Sequence, residues 1–349
     1  MKAQLILENG RRFTGTLFGS EENTAGEVIF TTGVVGYEEL LTDPAMAGQM
    51  VIMTFPLIGN YGINFEDMES GKVWPHAVIV REECVEPSNF RNEMNFGDWL
   101  SSHGVTGLCG VDTRALTRII RDEGVMRGVI MAGEPSDDAV RSFMDKCGAP
   151  TIAEVTAKNI YTVNEGGKKR AAFIDLGTRK SVVEGVQSYD CAVTVFPASA
   201  NAEEIAACKP EIVFVSSGPE NPSDADAVAN TVKALIGKFP IFGIGLGHRI
   251  IGAALGCKTE RLPFGHHGGN YPVKDKKTGR VYITTQNHIA ALTDLPDDVE
   301  EIFVNVNDGT CQGIKHKTLP VMSVEFTPNT LTGAQGTGHI FGNFLKEVQ

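Results

Sequence analysis

The sequence predicts an α/β protein built in two parts. An N-terminal β-rich α+β domain covers residues 1–132, and after a linker region over 133–170 a second domain with a mainly parallel sheet covers 171–349. Three observations carry that prediction. Short stretches that alternate apolar and polar residues dominate the first part. From residue 171 the rhythm changes to apolar strand runs separated by helical stretches, the pattern of a parallel sheet wrapped by helices. The 349 residues, 42% of them hydrophobic, suffice for two cores of ordinary size.

Residues 3–18 alternate on both sides of Asn9-Gly10. That predicts a hairpin with a type I′ turn, which needs two residues that tolerate positive φ. Further strands are predicted around 27–32, 50–54 and 76–81. Asp112 reads as the N-cap of a helix over 113–122 that Gly124 closes. Between 133 and 169 lie Pro135-Ser136-Asp137-Asp138, a short amphipathic helix and Asn164-Glu165-Gly166-Gly167, a mixed stretch that suits a domain boundary. Then follow the strand AAFID (171–175), a helix near 179–187, AVTVFP (192–197), a helix from 202, EIVFVSS (211–217), a helix over 224–238 and PIFGI (240–244). After 257 the chain becomes strand-rich, and a last helix covers 338–347. Ligands of such sheets bind beyond the carboxyl ends of the strands, where Gly218 and Gly245 stand.

The formal net charge of −12 argues against a nucleic-acid groove or an anionic membrane as partner. Lys168-Lys169-Arg170, after two glycines, reads as a solvated linker. Seven cysteines, at 84, 109, 147, 191, 208, 257 and 311, form no CxxC pair. With no signal peptide read before the first strand, a cytoplasmic location with free thiols is expected. The most apolar stretch, 239–256, holds His248, Arg249 and five glycines and makes a poor membrane span. His266, His267 and His288 have no Cys or Asp/Glu set at ligand spacing, so no metal is expected.

The stretch FGIGLGH (242–248) has the frame small-x-nucleophile-x-small, in which glycines let strand and helix approach closely and the central residue is exposed beside the N–H groups that open the helix. It also brushes against a dinucleotide fingerprint. There the third glycine would fall at His248, no acidic residue follows at the proper distance, and the motif opens the fourth βα unit of its domain, so a nicotinamide site is rejected.

The frame resembles the elbow of triad-type glutamine amidotransferases, where the central residue is cysteine. GEVIFTTGVVGYEELLTDP (26–44), FPLIGNYGIN (55–64), GVDTRALTRIIRDEG (110–124), FGHHGGNYPVKD (264–275) and TQNH (285–288) narrow the resemblance to the small subunits of carbamoyl-phosphate synthetase. Nearly the whole chain, from residue 3 to about 345, takes part. The resemblance implies a flavodoxin-like amidotransferase domain behind the β-rich one, and a large synthetase subunit as partner. It also implies a role in arginine and pyrimidine synthesis, and no cofactor in this chain, ATP and divalent metal being expected only in the large subunit. His266, His267 and His288 would shape loops around the site, and Asp112, Arg114 and Arg118 would be structural.

Glutamine hydrolysis by this route needs a thiolate nucleophile, a histidine base, an acid that orients it and N–H groups for the oxyanion. Here Gly245 stands at the cysteine position, and the family's His-Pro-Glu reads Thr327-Pro328-Asn329, so no member of the triad is intact. The former glutamine pocket is altered as well. Gly218 remains, but Glu220 replaces a glycine and Arg249 a glutamine, Ile289-Ala290 stand for Gly-Phe, and Ala45 for a serine of the first domain, with Leu246 beside the apex. Glu220 and Arg249, a new acid and a new base, are expected to pair in that pocket. Cys257, about 15 Å along the helix from the turn, and Cys311 read as packing residues rather than substitute nucleophiles.

The reading is a scaffold or regulatory subunit of an ammonia-using complex. Two alternatives stay open: a working glutaminase with an unrecognised nucleophile, and a stand-alone binding module with a repurposed pocket, its ligand an acid held by Arg249.

Overall fold

The computed structural model describes residues 1–145, 148–220, 222–328 and 336–347. The chain divides into two compact units, residues 1–149 with 263–268, and 150–262 with 269–349. The 133–170 stretch is shared between them, and its helix Asp137–Met144 packs Val140 and Met144 against Ile6, Val129 and Met131 of the first unit. Lys169 and Arg170 open the strand Lys169–Asp175 instead of lying in free linker, and Arg170 Nε donates to the Lys209 carbonyl at 2.9 Å.

In the first unit seven strands close into a barrel, in the order Lys2–Leu7, Arg12–Gly19, Thr106–Cys109, Ala77–Ile79, Gln49–Met53, Thr24–Thr31 and Met126–Ala132. Closure removes the exposed edges that a small open sheet would leave. Every strand gives one face to a common apolar cluster, through residues such as Leu5, Leu17, Val28, Met50, Ile79, Leu108 and Ile130. The helix Thr113–Glu123 adds Leu116 and Ile120 to that cluster. The opposite faces, Ile29, Val51 and Met53 among them, pack against Phe96, Trp99 and Leu100 of the helix Phe96–Ser102.

Asp112 Oδ1 accepts the Ala115 N–H at 3.0 Å, which makes it the predicted N-cap. The hairpin departs from expectation. Ile6 pairs with Arg12, and Gly10 donates its N–H to Leu7 O at 2.8 Å. Gly10 alone takes positive φ, at 86°, while Asn9 does not. The loop is therefore a three-residue one closed by a left-handed glycine, not a type I′ turn. Asn9 is occupied elsewhere, since its side chain accepts the Arg11 N–H and donates to Glu123.

The second unit is a ten-stranded sheet. Its parallel part runs Cys191–Pro197, Lys169–Asp175, Ile212–Val215, Ile241–Ile244 and Val321–Val324. Beyond Val321–Val324 the strands Cys311–His316 and Val299–Asn305 continue it antiparallel. Phe173, Phe214 and Phe242 lie opposite one another on three neighbouring strands, and Phe341 and Phe344 of the helix His339–Glu347 cover the row. The helices Ala202–Ala207, Ala225–Leu235 and Leu246–Ala254 cover the other face through Ile205, Val228, Val232 and Ile251. Apolar strands buried on both faces are what a parallel sheet requires.

Glu38, buried in the first unit, accepts the Asn64 N–H at 2.7 Å, and burial pushes its carboxyl from the ordinary 4.5 up to about 8. Between those two values the folded chain keeps a proton that the unfolded chain has lost. The stability contribution is thus fully present below pH 4.5 and is lost as pH rises to 8. We predict that unfolding by urea loses up to about 1.4 kcal/mol per pH unit across that window. Glu38→Gln, which keeps an acceptor for Asn64, should flatten the profile, and equal slopes in both proteins would place the titrating group elsewhere.

Candidate functional site

The strand Ile241–Ile244 breaks into the helix Leu246–Ala254 with one residue between them, Gly245, at φ 54° and ψ −115°. A side chain is strained in that region of positive φ. The close approach is enforced from both sides. A Cβ on Gly247 would lie 2.3 Å from the Val215 carbonyl oxygen, and one on Gly243 would lie 2.5 Å from Ile251 Cδ1. Gly245 donates its N–H to Val324 O, and Gly247 donates to Ser216 O. The predicted elbow is present, with no side chain at its apex. A Cβ at Gly245 would point at Ser217, 3.2 Å from that residue's Cβ.

Arg249 lies one turn along the helix, its side chain 7% exposed. Its Nη1 and Nη2 donate to Glu220 Oε2 and Oε1 at 2.7 and 2.6 Å, a bidentate fork between two buried groups. The expected pair therefore forms. The bidentate Glu220 holds the guanidinium protonated against the opposing effect of burial. Gly218, on the loop that carries Glu220, has no room for a side chain, because its Cβ would stand 2.4 Å from Leu176 O and 2.9 Å from Leu246 Cδ2.

Glu325 is the residue that the sequence reading missed. It is fully buried at the end of Val321–Val324, 3.6 Å from Arg249 Nε, 3.8 Å from His248 Nε2 and 4.0 Å from His288 Nδ1. These distances are within ion-pair range but too long for hydrogen bonds. Neither of its carboxylate oxygens has a hydrogen-bond partner among the described residues. Burial pushes its carboxyl well above the usual range, although Arg249 pulls the other way. His248 shares a 2.8 Å hydrogen bond with Ser323 Oγ, and burial together with Arg249 pushes it down to about 3, so it is neutral. A signal for Glu325 was available: it is one acid closing the apolar run VMSVEF, and a buried acid demands a partner.

Thr327 is buried and its N–H donates to Thr285 O at 2.9 Å, while Asn329 lies outside the described residues. Ile289 and Ala290 are buried, and His288 beside them is held by the Ala290 carbonyl and Gln286 Oε1. Ala45 belongs to the first unit, in the turn Pro44–Met46 that Asp43 caps. His266 and His267 also fall in the first unit, and no group of three metal-ligating side chains occurs among the described residues. Cys257 and Cys311 are buried in one apolar cluster with Leu292 and Ile314. Burial pushes the Cys311 thiol up to about 12 and raises that of Cys257, so neither forms a ready thiolate. The arrangement offers an elbow with no side chain at its apex and a buried ion pair, and the hydrogen-bonded Ser323 and His248 beside them are fully buried.

Residues 5–130 match the family described as carbamoyl-phosphate synthase small chain, CPSase domain, and residues 172–347 match glutamine amidotransferase class-I. The chain is 44% identical over 347 residues to the carbamoyl phosphate synthase small chain of Clostridium perfringens, covering 99% of both chains. It is 43% identical to that of Caldanaerobacter subterraneus subsp. tengcongensis, over 100% of this chain and 97% of the other. To the pyrimidine-specific small chain of Bacillus subtilis the identity is 38%, over 100% and 96%.

Breaking a buried pair by removing one partner strands the other charge. Arg249→Met should therefore destabilise the protein by about 3–5 kcal/mol in urea unfolding, and Glu220→Gln added to Arg249→Met should recover part of that loss. Strictly additive effects would mean that the two groups are not coupled.

Proposed function

This chain belongs to the carbamoyl-phosphate synthase small-chain family, and we propose that it serves its complex as a structural subunit that does not hydrolyse glutamine. The observation that carries this reading is the buried Glu220–Arg249 fork beside an elbow apex with no side chain. Hydrolysis by a thioester route begins with attack on the amide carbon, and Gly245 has nothing to attack with. Loss of a nucleophile or base alone typically costs on the order of 10⁴-fold or more, and here Thr327 stands for the base as well. The pair occupies positions where the family resemblance expects a glycine and a glutamine, in the pocket that would take the substrate amide.

In this reading the partner is the large synthase subunit, supplied with ammonia directly, and ATP and its metal ions act there. The assembly makes carbamoyl phosphate for arginine or pyrimidine synthesis in the cytoplasm. No helix among the described residues is long and apolar enough to cross a membrane. An acidic ligand at Arg249, the repurposed-pocket alternative, would have to displace both oxygens of Glu220. A working glutaminase would need a nucleophile other than Cys257 and Cys311, whose thiols burial disfavours as thiolates.

The test is carbamoyl phosphate formation by this chain with its cognate large subunit, supplied with glutamine or with ammonium. Turnover with ammonium alone, dependent on or raised by this chain, is expected, and turnover with glutamine would refute the proposal. Gly245→Cys by itself should restore no glutaminase, because Thr327 cannot take the proton and Glu220–Arg249 keeps its place. Release of glutamate by that variant would show that a base persists in the site.

A further inference from the structure

The first unit carries a cleft of about 620 Å³, within the size range of small-molecule sites. Three arginines, all of them exposed, line it. Arg114 and Arg118 come from the helix Thr113–Glu123, and Arg81 from the chain just after the strand Ala77–Ile79. None of the three has an ion pair within 4 Å among the described residues, whereas Arg11, Arg12, Arg91, Arg121 and Arg127 of the same unit each have a carboxylate partner. Three arginines without an ion pair and one carboxylate, Asp112, border this cleft, so its lining carries a net positive charge in a chain of net charge −12.

Two further features point the same way. Thr117 lines the cleft, and its hydroxyl oxygen is buried with no hydrogen-bond partner among the described residues. The first turn of the eleven-residue helix adds the positive end of its dipole. Asp112 also lines the cleft and opposes an anion, but its Oδ1 is engaged as the helix cap by the Ala115 N–H. No aromatic side chain lines the cleft, which offers no platform for stacking bases.

We propose that this cleft binds a small polyanion, its anionic oxygens supplied by phosphate or carboxylate groups and read by the guanidinium forks of Arg81, Arg114 and Arg118. The site is separate from the glutaminase question, since every lining residue belongs to the first unit.

Calorimetric titration of the full chain with inorganic pyrophosphate, and separately with citrate, tests it. Saturable binding of one equivalent of either probe is expected, and the stronger probe tells phosphate from carboxylate chemistry. Arg114→Gln with Arg118→Gln should weaken that binding by about tenfold or more, with the circular dichroism of the native protein retained. Arg141→Gln, an exposed arginine outside the cleft, should leave it unchanged. Absence of binding to both probes, or equal weakening by Arg141→Gln, would overturn the proposal.

Discussion

A positive charge buried behind the elbow governs its surroundings. Arg249 cannot shed its proton and has almost no contact with water, so the protein must answer it locally. Glu220 does so with both oxygens, which ties the loop after Ile212–Val215 to the elbow helix. With Glu220 committed as the counter-ion, burial favours a protonated Glu325 and a neutral His248.

The geometry of the elbow has a reason in packing that does not depend on what its apex carries. Gly243 and Gly247 are required because backbone and Ile251 stand where their side chains would be, whatever occupies the apex. An enzyme must hold its nucleophile in strained backbone to expose it, and Gly245 adopts φ 54° without a side chain to strain. The frame therefore serves as the junction between a central strand and its helix.

Much of this was legible from local pattern. The strand and helix alternation after 171, the Asp112 cap and the elbow follow from periodicity, capping and close-approach glycines, all of which act over a few residues. The pairing of Glu220 with Arg249 was readable because the family resemblance puts these two opposite charges in one pocket, and the pair forms. Glu325 was not read, because its significance depends on which helix the sheet brings above it. The turn at Asn9-Gly10 was misread because strand register, not the dipeptide, selects loop length, and Asn9 found partners in Arg11 and Glu123. The place of residues 263–268 had no local signal, since the stretch continues a strand whose ends belong to the other unit.

That short segment bears on how the protein is made. Val125, which follows the helix Thr113–Glu123, donates its N–H to Pro263 O at 2.8 Å, and the ring of Phe264 lies 5.7 Å from that of Phe30. During synthesis the first unit leaves the ribosome more than a hundred residues before these contacts can form. The contact of Phe264 with Phe30 can form only once most of the second unit's parallel strands have been translated. All seven barrel strands lie before residue 133, so a gene cut at residue 149 would encode the whole barrel but not the segment that contacts Phe30 and Val125.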